Sequence, residues 1–174
     1  MSRATVRSAI VSYLEGANIE FLSTVKPFPA KFTPEMEFYS EDPGAPKGVD
    51  SGAIVYVYFS SEREARIALG GAHSGKKEVT YEVMLDCFLR STKKKSEDAG
   101  SDNETFLDSL VAAIRADRNA GTTDGTIFQW GEGSTNGGQD IEVTSYYPRQ
   151  LNGMGSVTQV YSSVRVTVVE IINA

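Results

Sequence analysis

The chain is poor in the residues that build reactive centres. Among 174 residues there is one cysteine, Cys87, and one histidine, His73. A single cysteine rules out an intramolecular disulfide, and with a single histidine it leaves too few soft ligands for a zinc site, so no metal is expected. No run approaches the roughly 18 apolar residues of a membrane-spanning helix, and no membrane partner is expected. The opening Met-Ser-Arg-Ala-Thr-Val-Arg leads into an amphipathic pattern instead of an apolar stretch, so a secretory signal is not expected and the protein should stay in the cytoplasm. A basic excess is missing too. Seventeen Lys and Arg against 23 Asp and Glu give a net charge of −6, the reverse of a general nucleic-acid binder. The only basic run, Lys93 to Lys95, is followed by Glu97, Asp98, Asp102 and Glu104; it reads first as a solvated loop, with DNA contact as the alternative.

What is present suits a globular protein: 40% hydrophobic and 23% charged residues over a length that fits one domain, taken as 1–174. One stretch invites an enzymatic reading. Gly70, Gly75 and Lys76 match the G-x-x-x-x-G-K part of a phosphate-binding loop, whose backbone N–H groups and lysine hold the phosphates. Such a loop needs Ser or Thr next and must open a helix. Here Lys77 follows, and Val79, Tyr81, Val83, Leu85, Cys87 and Leu89 alternate with Thr80, Glu82, Met84, Asp86 and Phe88, the period of a strand. The stretch is therefore read as a glycine-rich turn feeding a long strand, with no cofactor. Cys87 shares the face of Val83, Leu85 and Leu89, as an inert core thiol does. His73 lies in the turn, where no neighbour would orient its ring for catalysis.

The apolar positions Val6, Ala9, Ile10, Tyr13, Leu14 and Ala17 recur at helical spacing, with Ser2 as cap, Gly16 at the end, and Arg3, Arg7 and Glu15 on the other face. Five of the six prolines fall between Pro27 and Pro46, so neither helix nor central strand can run through that arm. Its Phe28, Phe32, Met36, Phe38 and Tyr39 are too apolar for a disordered linker, and packing on a neighbouring subunit is expected. Ala53 to Phe59 reads as a strand. Ser60 to Leu69 fits either a helix capped by Ser61 or a continuation into a hairpin with its tip at 70–76, and the hairpin is preferred because it makes the pairing local. Asp102 is expected to cap a helix bearing Phe106, Leu107, Leu110, Val111 and Ile114. Strands are expected at Thr126 to Trp130, Ile141 to Tyr147 and Thr158 to Ile172, with a glycine-rich loop at 131–138. The sum is an α+β fold: a mainly antiparallel sheet with two helices packed on one face, a long β-hairpin and a proline-rich arm.

The opening helix RATVRSAIVSYLEGA, the run RIALGGAHSGKKEVTYEV, the stretch SEDAGSDNETFLDSLVAAIRADRNAG, the segment IFQWGEG and the ending SSVRVTVVEI occur in an order that resembles, over nearly the full length, the tail terminator proteins of long, non-contractile-tailed phages, particularly those infecting actinobacteria. The resemblance implies a homohexameric ring at the head-proximal end of the tail tube that stops tube polymerisation and offers a surface to the head completion protein. It implies a virion protein assembled in the host cytoplasm, with genomic DNA passing through the lumen and no catalytic residue. Its small α+β fold agrees with the reading of the residues. The acidic balance would keep DNA from sticking in the lumen, or serves solubility alone. Contact residues are expected in the hairpin at Arg66, Ile67, Leu69, His73, Lys76 and Lys77, in the arm at Phe32 and Phe38, and at Trp130. The alternatives are another neck component such as a head completion or connector subunit, a nucleotide-binding enzyme built on Gly70 to Lys76, and a monomeric cytosolic binding module.

Overall fold

A computed structural model describes residues 3–28, 51–68, 75–91, 96–117, 119–122, 127, 129–130, 141–150 and 158–173, with backbone alone at 51, 67, 68, 96, 146–150, 158 and 173. Two helices and six strands follow in the order α1 (Arg3–Gly16), β1 (Leu22–Lys26), β2 (Ser51–Ala68), β3 (Lys76–Ser91), α2 (Ser96–Ala116), β4 (Gln129–Trp130), β5 (Ile141–Gln150) and β6 (Thr158–Asn173). The strands form one sheet in the order β1-β2-β3-β6-β4, and β5 also pairs with β6. Only β1 runs parallel to its neighbour. This is the expected α+β fold.

The alternation in β3 decides which face is buried. Val79, Tyr81, Val83, Leu85, Cys87 and Leu89 all lie at 3% exposure or less, and they align across the sheet with Ala53, Val55 and Val57 of β2 and with Val160, Val164, Val166 and Val168 of β6. Val6, Ile10 and Leu14 of α1 and Phe106, Leu107, Leu110 and Ile114 of α2 join the same cluster, so both helices cover one face. Burying each such side chain is worth about 1.5–3 kcal/mol, which makes this layer the dominant favourable contribution to folding.

Residues 60–68 continue β2 as the preferred hairpin, and Lys76 and Lys77 open a strand and not a helix, as read from the sequence. Two elements differ from that reading. Strand β1 was not foreseen: it is five residues long, half exposed, and held by Leu22↔Ala53 to Lys26↔Tyr56 pairing that has no local sequence signal. The second helix starts at Ser96, six residues before Asp102, so Asp102 is not its cap. The first two turns carry no apolar stripe because the face they bury is polar. Asp102 accepts a hydrogen bond from Ser91 Oγ at 3.2 Å, and Asn103 Nδ2 donates to Ser162 Oγ at 3.1 Å, with all four residues at 6% exposure or less. Only Ala99 marks that side as buried.

This correction has a direct check. Gly100 lies inside α2 with nothing within 4 Å of where a Cβ would sit. Gly100→Ala should therefore stabilise the protein by roughly 0.5–1 kcal/mol, raising the melting temperature by about 1–4 °C. No gain in thermal denaturation would mean the helix begins beyond Gly100, as Asp102 capping would require.

Candidate assembly surface

Beyond Tyr56, the last residue that pairs with β1, strand β2 runs on to Ala68 with β3 as its only described neighbour. Strand β3 is backed on its other side by β6 as far as the Lys76↔Asn173 pair. The far end of the sheet is thus a three-stranded tongue, stiffer than the lone two-stranded hairpin expected from the sequence. Along the outer edge of β2, residues 60–64 and Arg66 are exposed. Bulges at Phe59/Ser61 and Arg66/Ala68 interrupt the register there. Charge and bulges are the usual protection of an open edge against unspecific pairing.

The tongue is tied to α1. Arg3 and Arg7, one helical turn apart, point the same way. Arg3 Nε donates to a Glu62 carboxylate oxygen, and the Arg7 guanidinium lies over the rings of Phe28 (4.2 Å to the centroid) and Phe59 (5.0 Å). Burial, and then the neighbouring Arg3 charge, lower the proton affinity of Arg7 below its ordinary value. Stacking of this kind contributes about 0.5–1 kcal/mol at an accessible site, and the exposed Arg3–Glu62 pair about as much or less. Phe59 leans on Tyr81 with centroids 5.0 Å apart, and Tyr81 donates its hydroxyl proton to Glu170 Oε2 at 3.0 Å in the interior. Further out, Lys77 Nζ pairs with Glu64 Oε1 at 2.5 Å.

The sheet face away from the helices carries a second constellation. Tyr58 and Tyr161 both donate to Asp86, to Oδ2 and Oδ1 respectively, each at 3.0 Å. Phe88 packs between Tyr56 and Tyr161, at centroid distances of 5.7 and 4.9 Å. Arg165 bridges Glu82, at 3.2 Å, and Glu142 across three strands. One carboxylate receiving two phenols is an orienting device for aromatic side chains that are half-buried on this face, beside the fully buried Tyr56. Burial first, and the bond to Asp86 second, push the Tyr58 phenol up to about 12.

Of the predicted contact residues, Arg66 and Lys76 are exposed at the end of the tongue and Lys77 is half-buried in its pair with Glu64. Ile67 lies in β2, described by its backbone. Leu69, His73, Phe32 and Phe38 lie outside the described residues. Trp130 is corrected. It is 0% exposed, stands edge-on to Tyr13 at 5.5 Å, and donates from Nε1 to Asp117 O at 2.7 Å, so its side chain belongs to the subunit's interior. Sequence reading also missed the role of Arg7, placed on the polar face of α1, which stacks on Phe28, an arm residue it had named, 59% exposed. The Arg3/Arg7 spacing beside a glutamate-bearing strand was the one available signal for that latch.

An open groove of about 540 Å³ lies between α1 and the turn at 119–122, floored by Ala9, Gly16, Ala17, Ala120 and Gly121. Asp117 shapes that turn by accepting from the backbone N–H groups of Asn119 (2.9 Å) and Gly121 (3.1 Å). Among the described residues no group of three His, Cys, Asp or Glu side chains could hold a metal ion, and no helix is long and apolar enough to cross a membrane. The Cys87 thiol, sealed in the core, has its proton affinity raised by burial and then by Asp86. Comparison with protein-family models finds no matching family, and comparison with curated proteins finds no similar sequence.

Proposed function

We propose that this chain is a structural subunit of a phage neck: a tail terminator that forms a ring at the head-proximal end of the tail tube, stops tube polymerisation and offers a docking surface to the head completion protein. The observation that carries the reading is the three-stranded tongue, a long sheet extension whose charged outer edge has no strand neighbour among the described residues beyond Tyr56, a shape that a free-standing subunit has no use for. It supports a closed head-to-tail contact, in which each copy presents two different patches. The α+β fold agrees with the resemblance of the ordered sequence segments to tail terminators. In this reading the tube protein and a second copy are the direct partners, and genomic DNA passes through the lumen without sequence-specific contact.

Native mass spectrometry of tails, combined with electron microscopy of labelled particles, tests the proposal. Six copies at the head-proximal end of the tail are expected, with copy–copy interfaces burying on the order of 1,000 Å² or more. A single copy per particle overturns the ring. A ring located on the capsid side of the joint would instead identify a head completion or connector subunit.

A further inference from the structure

Phe28 and the groove beside α1 both lie open on the described surface. Phe28 is the more exposed of the two large apolar side chains that stand out there, the other being Val143. It is also held in place, with the Arg7 guanidinium 4.2 Å from its ring centroid. Arg7 makes no hydrogen bond or ion pair among the described residues, so the stack presents an exposed ring together with a cation whose donors are free. A ring positioned before it binds loses little freedom on binding. The groove of about 540 Å³ is floored by Ala9, Gly16, Ala17, Ala120 and Gly121, side chains too small to fill it.

The ring and the groove cannot meet inside one subunit. At the helical repeat, Ala9, Ser12 and Gly16 lie roughly 140–180° around α1 from Arg7, so the groove opens on the opposite flank of the helix from the Phe28 stack. The two patches also differ in charge. No basic residue stands in the last turn of α1, which leaves the negative end of its dipole uncompensated beside the groove. Glu15 lies in that turn, where the dipole disfavours an acid, and it is exposed and makes no ion pair or hydrogen bond among the described residues. Asp117 adds a carboxylate at the other wall, where it holds the turn through Asn119 and Gly121. Exposed Glu20 follows in the next turn, and Arg115 answers the dipole of α2, whose last turn it occupies.

We infer that the Phe28 ring of one copy seats in the groove between α1 and the 119–122 turn of a second copy, with the Arg7 guanidinium that carries the ring facing the negative end of that copy's α1. The two patches are different and stand on opposite flanks of one helix, so the contact is heterologous and repeats from copy to copy until it closes. It rests on the ring reading and deepens it by naming the surfaces that meet. Burial of the ring supplies the affinity. The charge of Arg7 sets the direction of entry and gives the association a part that weakens as salt rises.

Sedimentation equilibrium of the full chain tests the contact, with thermal denaturation as the folding control. Phe28→Ser removes the ring and should weaken self-association by about tenfold or more. Gly16→Leu fills the groove and should do the same with the fold intact, because nothing lies within 4 Å of where its Cβ would sit and Leu favours a helix over Gly. If either chain fails to fold, Phe28→Asn and Ser12→Trp, the latter at the exposed lip of the groove, take their places. Arg7→Gln should weaken association severalfold and flatten its decline with salt. Mixing the Phe28→Ser and Gly16→Leu chains is the sharpest arm. One chain keeps the groove and the other keeps the ring, so the mixture should pair one to one and stop there. Wild-type association by any of these variants alone overturns the contact, as does a mixture that fails to pair or a wild-type chain that stays monomeric at its highest soluble concentration. The ring reading fails separately: one-to-one pairing of the mixture with wild-type copies in open chains keeps this contact and discards the ring, whereas a six-copy ring formed equally well by both variants does the reverse.

Discussion

Trp130→Ala should lower the stability of the isolated subunit by about 3–5 kcal/mol, the usual cost of emptying a fully buried large aromatic site. For a chain of this length the melting temperature should fall by roughly 6–20 °C. Three observations set the size of the effect. The ring is 0% exposed, its edge-on contact with Tyr13 at 5.5 Å is lost, and the carbonyl of Asp117 loses the indole donor at 2.7 Å. The damage should spread to α1, because Tyr13 also donates its hydroxyl to Ala113 O at 2.7 Å and so couples the two helices. Against a total stability of about 5–15 kcal/mol, a change of this size decides whether the subunit is folded at all at growth temperature. Thermal denaturation of the purified subunit checks it. A variant that melts like the wild type but no longer assembles would return Trp130 to the role of an intersubunit contact.

Trp130 also shows where the sequence stops being legible. A lone tryptophan in a two-residue strand bordered by Gly131 and Gly133 has nothing local to mark it as interior; its burial comes from Tyr13, 117 residues earlier in the chain, and from Val168 opposite it in β6. The central strands were legible because their burial is periodic: in β3 the apolar residues fall on alternate positions, and β2 and β6 repeat the pattern where they align with it. The start of α2 was hidden for the opposite reason. Its buried positions are Asp102 and Asn103, whose partners Ser91 and Ser162 come from two strands, so a hydrophobic stripe could not reveal it. Strand β1 is fixed by parallel pairing to β2 from 30 or 31 residues away, and the Arg7 stack by rings from β2 and the arm root. In the candidate surface, Arg66 and Lys76 were found as charges at the hairpin end.

Alkali should unfold the subunit cooperatively, with the buried tyrosines ionising only as it does so. Burial, helped by Asp86, pushes Tyr58 up to about 12, and burial is also the first cause of the raised Tyr81 and Tyr13, with Glu170 and Asp117 next in each case. The sign follows from linkage. A phenol that holds its proton more tightly in the folded chain than the ordinary value near 10 lends stability that is fully present below about pH 10 and is lost as the pH rises above it. Each tenfold difference in proton affinity is worth about 1.4 kcal/mol where the phenol is buried, as Tyr81 is, and solvent screening makes the share of the half-buried Tyr13 and Tyr58 smaller. Phenolate absorbance of the eight tyrosines should therefore rise in two stages, an early non-cooperative one from accessible rings and a late one that coincides with loss of circular dichroism. Asp86→Asn should bring Tyr58 into titration at lower pH, since it removes the charge that opposes a phenolate, while costing about 1–3 kcal/mol at neutral pH through the weakened bonds from Tyr58 and Tyr161. A single smooth titration near pH 10 with the circular dichroism intact would mean that these rings are open to solvent and that the tyrosine–carboxylate pairs do not hold the sheet as described.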